Sequence, residues 1–342
     1  MSARSPGSGP ASAPPDAAAS GRSAAGELPA RASPEPQTAR AVLMIRPAHF
    51  GANPETAASN RFQAAQGGTD DAAVAAAAQT ELDALAGTLE RCGIDVHVLP
   101  GRRAPVCPDE VFPNNWFSTH ADGTLVRYPM LAPNRRLERR DDLVDALRHA
   151  GYAVRRTIDL AGLESRGLFL EGTGSLVLDR AARIAFACAS ARTSPEAVRV
   201  FCERLGYMPV IFDAVDSDGH AIYHTNVMMS VGSRFALVCA AAIRDPDARR
   251  RVLDALGRAG KQIIEIGYPQ LEAFACNLLE LRGRHGPVIA LSQRALGSLE
   301  PAHRRALERH GSLAPAPIDT IETFGGGSVR CTLAEIHLPR GG

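Results

Sequence analysis

Ile222-Tyr223-His224, then Phe235-Ala236-Leu237-Val238, an amphipathic stretch over 246–259, Gly260 and Ile263-Ile264 decide the fold of this 342-residue chain. By hydrophobic pattern the stretch reads strand, strand, helix, strand. The same order recurs upstream. Leu168-Phe169-Leu170, Ser175-Leu176-Val177-Leu178 and Ile184-Ala185-Phe186 precede a helix at 195–205, Gly206 and Val210-Ile211-Phe212. Earlier still, Trp116-Phe117-Ser118 and Leu125-Val126-Arg127-Tyr128 precede a helix at 138–150, which Gly151 stops before Ala153-Val154. Downstream, Asn277-Leu278-Leu279 and Val288-Ile289-Ala290-Leu291 precede a helix at 293–310 and Gly311. At the front, Ala41-Val42-Leu43-Met44-Ile45, an alanine-rich helix at 72–91 and Val96-His97-Val98-Leu99 give strand, helix, strand.

The unit returns about every 55 residues. Its leading polar residues are Asn115, Glu171, His224, Asn277 and Cys331, separated by 56, 53, 53 and 54 positions. Repeats that close around an axis bring equivalent positions together at its centre. Groups remote in sequence then converge on one pocket.

Three of these five positions carry chemistry. Cys331 ends the stretch Gly325-Gly326-Gly327-Ser328-Val329-Arg330-Cys331, at the mouth of a short apolar strand. Glycine lets backbone crowd a ligand and adopt positive φ, a setting that a core-filling thiol does not need. An ordinary thiol is mostly protonated at neutral pH and needs a neighbouring base or positive field to become a nucleophile. His224 suits that exchange. Glu171, in Leu170-Glu171-Gly172-Thr173-Gly174, is a carboxylate after an apolar strand, costly to bury without a purpose. It reads as the group that orients His224 or binds a substrate N–H. The Gly172-Thr173-Gly174 turn lacks the third glycine of a dinucleotide fingerprint, and no phosphate-binding GK[ST] loop exists.

Charge is balanced, with 38 Lys+Arg against 37 Asp+Glu, which argues against a nucleic-acid or membrane surface. No apolar run approaches the roughly 20 residues a membrane-spanning helix requires. Seven cysteines without a CxxC pair fit a reduced, cytoplasmic protein without a metal site. Residues 1–39 contain no Val, Ile, Phe or Tyr and are expected to form a disordered Ala/Pro/Ser-rich tail. Residues 40–342 are expected to form a single catalytic domain.

Together, Phe112-Pro113-Asn114-Asn115, Leu170-Glu171-Gly172, Ala191-Arg192-Thr193, His224-Thr225-Asn226 and Gly326-Gly327-Ser328 with Cys331 resemble the guanidine-modifying, amidinotransferase-like (pentein) superfamily. The resemblance runs over residues 41–338 in the family's order. It implies an α/β fold, a five-bladed α/β propeller with pseudo-fivefold symmetry. It implies Cys331, His224 and Glu171 as the catalytic set, and Arg135 and Arg192 as binders of the amino-acid carboxylate. No metal or organic cofactor is implied, and the partner is a small-molecule amino acid. A homo-oligomer is left open.

Two positions depart from the arginine deiminase pattern. Where those relatives place aspartates that grip a guanidinium, this chain has Asn115 and Asn226. A buried guanidinium is held by charge-assisted, often bidentate bonds to carboxylates. Two neutral amides instead suit a ureido group, because each offers one acceptor and two donors. The chain looks most like the citrulline-utilisation hydrolase branch, whose N-terminal motif resembles Arg46-Pro47-Ala48-His49-Phe50-Gly51-Ala52-Asn53 and Asn60-Arg61-Phe62-Gln63 here. Asn60 and its neighbours fall where a substrate loop would lie. The expected reaction takes citrulline to ornithine, ammonia and carbon dioxide through a covalent Cys331 adduct. Alternatives are an arginine dihydrolase, a deiminase including the dimethylarginine dimethylaminohydrolase type, an amidinotransferase, or a non-catalytic ribosome-associated propeller.

Overall fold

The computed structural model describes residues 35–65, 67 and 70–341. Among the described residues, fifteen short strands form five three-stranded sheets. In chain order they are β1 (Ala41–Arg46), β2 (Asp95–Pro100), β3 (Phe117–Thr119), β4 (Thr124–Arg127) and β5 (Arg156–Asp159). Next come β6 (Val177–Asp179), β7 (Ile184–Cys188), β8 (Met208–Phe212), β9 (Met229–Val231) and β10 (Phe235–Val238). The last are β11 (Gln262–Glu265), β12 (Leu279–Arg282), β13 (Pro287–Ser292), β14 (Ser312–Ala316) and β15 (Ala334–Ile336).

One rule builds every sheet. The first two strands of a unit pair antiparallel, and the third lies parallel to the second, as in β6-β7-β8. A parallel pair needs a crossover, and a helix supplies it. The five crossover helices are α1 (Asp71–Arg91), α2 (Leu143–His149), α3 (Pro195–Leu205), α4 (Pro246–Arg258) and α5 (Pro301–Glu308). The front unit is completed from the far end of the chain. β15 pairs antiparallel with β1, and β1 runs parallel to β2.

Sequence explains the helices directly. Asp70 caps α1 by accepting from the Ala72 N–H, and Val74, Ala78, Leu82, Leu85 and Leu89 bury one face. Ser194 and Pro195 open α3, and Gly206 closes it in the left-handed region. The helix expected at 293–310 is two helices, Gln293–Ser298 and α5. Leu299 and Glu300 are extended between them, because proline disfavours helical backbone in the residue before it.

The strands expected at 168–170 and 222–224 are not strands. In both places the polar residue caps a one-turn helix, and the inner strand starts only after it. Glu171 caps Gly172–Ser175 ahead of β6, and His224 caps Thr225–Met228 ahead of β9. Cys331 likewise lies inside Val329–Thr332, ahead of β15, and Asn115 ends the short Pro113–Asn115 helix ahead of β3. Three-residue apolar runs are too short to distinguish a strand from an extended approach.

Neighbouring units touch in order. β15 lies against β3, Gly172–Ser175 packs on β3, β6 meets β9, β9 meets β12, and Val329–Thr332 packs on β13. The packed body also begins earlier than the boundary expected at residue 39. Glu35 is buried and pairs with Arg180 at 3.1 Å, while Gln37 donates to the Leu178 and Val231 carbonyls. A carboxylate and an amide found partners that composition alone does not reveal. Residues 1–34, the rest of the expected tail, lie outside the described residues. Among the described residues, no helix is long and apolar enough to cross a membrane.

Candidate active site

The one-turn helices ahead of the inner strands deliver the polar residues to one cavity. Cys331, His224, Asn115, Arg135, Arg192 and Asn60 line it, with Asp109, Phe112 and Tyr223. Cys331 is 3% exposed and His224 1%, so a reaction here is sheltered from bulk water. The cavity encloses about 10 Å³, roughly the room one water needs. An amino acid therefore enters only by displacing its walls.

His224 Nε2 lies 2.9 Å from Glu171 Oε2. Burial alone raises the Glu171 carboxyl, but the charge of Arg192, the hydrogen bond from His224 and the charge of Arg135 hold it well below the usual carboxylate range. An ionised carboxylate only accepts, so Nε2 carries the proton and the basic lone pair sits on Nδ1. Burial pushes the imidazole down to about 4 against the upward pull of Glu171. His224 is therefore a neutral base at neutral pH. The contact is tight: a Cβ at Gly174 would fall 2.7 Å from His224 Nδ1 and 2.6 Å from Asn115 Nδ2. Only glycine fits there.

Two amides converge on the thiol. Asn226 Nδ2 donates to Cys331 Sγ at 3.4 Å, and Asn277 Nδ2 at 3.3 Å. The Cys331 N–H returns a bond to Asn277 Oδ1 at 3.3 Å. Negative charge developing on sulfur thus meets two N–H dipoles already in place. Asn226 Oδ1 is buried and has no partner.

Both arginines are engaged by protein groups. Arg135 forms a bidentate pair with Glu138, at 2.8 and 3.0 Å, and donates to Asn115 Oδ1 at 3.0 Å. Burial pushes Glu138 up to about 7 against the charge of Arg135. Arg192 donates to Ser59 Oγ and the Thr56 carbonyl, and stacks over the Tyr223 ring. Asn60 serves as a strut. Its Nδ2 bonds the Gly325 and Gly326 carbonyls, and its Oδ1 takes the Phe62 N–H. Gly326, at φ +60°, packs directly on the Asn60 amide, and the Tyr223 hydroxyl donates to its carbonyl. The glycine run is thus a backbone wall pinned from two sides.

Sequence spacing located Asn277 but gave it no role, and its bond to the thiol is visible only in three dimensions. Asp109 and Tyr223 escaped the spacing altogether. Asp109 precedes the Phe112-Pro113-Asn114-Asn115 motif in an acidic pair with Glu110, the one signal that pointed to it. Its Oδ2 accepts from Asn53 at 2.8 Å, while its buried Oδ1 has no partner. Among the described residues, the one cluster of metal-type ligands is Asp216, Asp218 and His220. It does not line this cavity, and Arg61 contacts two of its members.

The sequence matches the family model described as N,N dimethylarginine dimethylhydrolase, eukaryotic, over residues 46–338. Comparison with curated proteins gives no significant match. Among solved structures, one similar fold is the substrate-bound N-terminal domain of ArgZ, an arginine dihydrolase from the ornithine-ammonia cycle in cyanobacteria. Its TM-score is 0.66 at 17% identity, covering 86% of this chain and 97% of that one. AgrE in a ternary complex with ornithine and NAD+ gives 0.67 at 18% identity, covering 87% of this chain and 39% of its own longer one. A dimethylarginine dimethylaminohydrolase variant bearing an S-methyl-L-thiocitrulline adduct gives 0.60 at 16% identity, covering 87% and 99%. At these identities the structural likeness establishes the shared fold. The family match covers nearly all of the five units: the chain belongs to the N,N-dimethylarginine dimethylhydrolase family within the guanidine-modifying pentein superfamily, and is a hydrolase of non-peptide C–N bonds.

Proposed function

We propose that this enzyme hydrolyses the ureido group of citrulline, giving ornithine, ammonia and carbon dioxide through a covalent adduct on Cys331. The observation that carries the reading is the neutral lining beside the sulfur. Asn226 donates to Sγ as a neutral amide, and Asn115 already takes a hydrogen bond from the cationic Arg135. A guanidinium would meet amides and a neighbouring positive charge. A ureido group brings no charge to compensate. The unpaired Asp109 Oδ1 suits the α-ammonium group that every amino-acid substrate carries.

His224 takes the thiol proton, and Cys331 attacks the ureido carbon. His224 then protonates the departing nitrogen, which leaves as ammonia, and a thiocarbamoyl adduct remains on sulfur. Water, deprotonated by His224, adds to that carbon. The C–S bond breaks, and the released N-carboxy amino acid loses carbon dioxide to give ornithine. Glu171 holds the imidazole throughout, and Asn60 and Tyr223 hold the glycine wall. Arg135 and Arg192 are the cations available to the substrate carboxylate once the walls part. The order of contacts between units supports blades arranged in a five-membered propeller with this cavity near its axis. Seven unpaired thiols suit a cytoplasmic setting.

Arginine dihydrolysis is the second reading, favoured by Asp109. A guanidinium turned toward its unpaired oxygen would find one carboxylate. Both readings are separated by measuring ornithine, citrulline and ammonia from citrulline, arginine, dimethylarginine and agmatine. Ornithine from citrulline and none from arginine is the expected result. Ornithine from both makes the enzyme a dihydrolase, and citrulline accumulating from arginine overturns the proposal. Asn115→Asp and Asn226→Asp should move relative preference toward guanidinium substrates.

A further inference from the structure

A second cavity lies along the inner strands, separate from the one that holds the substrate. At one end its wall is made by Thr173, Asn226 and Arg330, each one or two places from a residue of the catalytic set. Farther along β6, β9 and β15 it is lined by Arg180, Ser230 and Glu335, and Gln37 spans the β6 and β9 carbonyls there. Asn226 joins the two spaces, since it lines this cavity while its Nδ2 donates to Cys331 Sγ.

Two atoms on this wall ask for a ligand. Asn226 Oδ1 and Ser230 Oγ are buried without a hydrogen-bond partner, in residues 1% and 7% exposed. Buried polar atoms are destabilising unless something small and polar pairs with them. The space is about 30 Å³, room for about two water-sized molecules and nothing larger. Arg330 is matched to Glu335 at 2.9 Å and Arg180 to Glu35 at 3.1 Å, and Glu280 accepts from the Ser233 N–H. An ion gains little there. A neutral molecule that both donates and accepts gains most.

We infer that this cavity takes water and ammonia, and serves the two steps in which the substrate cavity is blocked. The inference rests on the covalent reading above. Formation of the C–S bond breaks one C–N bond, and ammonia leaves with the proton from His224. The adduct still carries the amino-acid body, which fills the narrow front cavity. Hydrolysis then forms a C–O bond, breaks C–S and returns a proton to sulfur. One small neutral molecule must leave and another must arrive while the front is occupied. The Asn226 amide, at the sulfur and on the wall of the second cavity, is where that exchange takes place.

Ser230 lies outside the catalytic set, so filling its place tests the idea. Ser230→Ala, Ser230→Val and Ser230→Leu are compared with the parent for steady-state turnover, the pre-steady-state ammonia burst and adduct mass on the intact protein. Ser230→Ala removes the hydroxyl without narrowing the space, so its loss of turnover should be smaller than that of either larger variant. The Val and Leu variants should lose turnover progressively, tenfold or more for Leu, while the burst persists and the Cys331 adduct accumulates. Parental turnover in the Leu variant overturns the inference. So does a burst slowed in step with turnover and without adduct. If the Leu variant does not fold, the Val variant is held to the same criteria. The series uses whichever of citrulline or arginine the parent hydrolyses, so a wrong substrate assignment shows in the parent and leaves the comparison intact.

Discussion

Cys331 owes its setting to Asn226 and Asn277, two amides from different units that meet at one sulfur. In the proposed mechanism His224 is the base because burial disfavours its charge, and that has a measurable sign. Its conjugate acid is pushed down to about 4, so the base form is populated above that pH and lost only below it. The acid limb of kcat/KM is therefore expected near pH 4 rather than near the usual 6.5 of a solvated imidazole. Glu171→Gln removes the neighbour that pulls His224 upward, so the limb should move lower still, with a rate loss of at least about tenfold. A pH–rate profile with a limb near 6.5 would show the imidazole to be solvated. Cys331, His224 and Glu171 stood out in the sequence because each leads a repeat, and the fold brings Cys331 and His224 to one cavity with Glu171 bonded to the imidazole. Asp109 was not, since it reaches the cavity from a loop that obeys no period.

The one-turn helix is the element that decides geometry here. It lets the chain turn between the extended approach and the inner strand, with the polar residue at its start in Glu171 and His224, within it in Cys331 and at its end in Asn115. Such turns leave no hydrophobic period, so the sequence pattern read the extended approaches to two of them as strands. The long amphipathic helices were legible because their buried faces repeat over several turns, as in α1 and α3. Gly174 tests the element. Gly174→Ala places a Cβ within 2.7 Å of the His224 ring and 2.6 Å of the Asn115 amide. The imidazole must shift, and a displacement of this order costs roughly 100-fold in turnover. Steady-state kinetics beside a thermal melt check it: a parental kcat would show that the helix yields instead.

Across the molecule, five copies of one small unit hold together through neighbour contacts and a few buried ion pairs that cross between units. The repeat was legible because its period is long and regular. The packing of residues 35–39 was not, because it depends on where Arg180 and the β6 and β9 carbonyls end up. Glu35 joins the buried Arg180, His120 and Tyr207, with the half-buried Arg183 at the edge of the group. Glu35→Ala leaves the Arg180 guanidinium, 2% exposed, without its main partner. The expected cost is about 3–5 kcal/mol, read as a lower denaturant midpoint at unchanged slope. A change below about 1 kcal/mol would mean that Glu335 alone suffices, an ordinary result for a weakly coupled pair.

The pairing of β15 with β1 has a temporal side as well. Cys331 sits just ahead of β15, so the nucleophile takes its place in the same event that completes the front sheet. Glu171 and His224 lie 160 and 107 residues ahead of Cys331, so synthesis delivers both before that thiol. A chain truncated before Val329 would thus carry the proposed base and its carboxylate without the proposed nucleophile and without the strand that completes the front sheet.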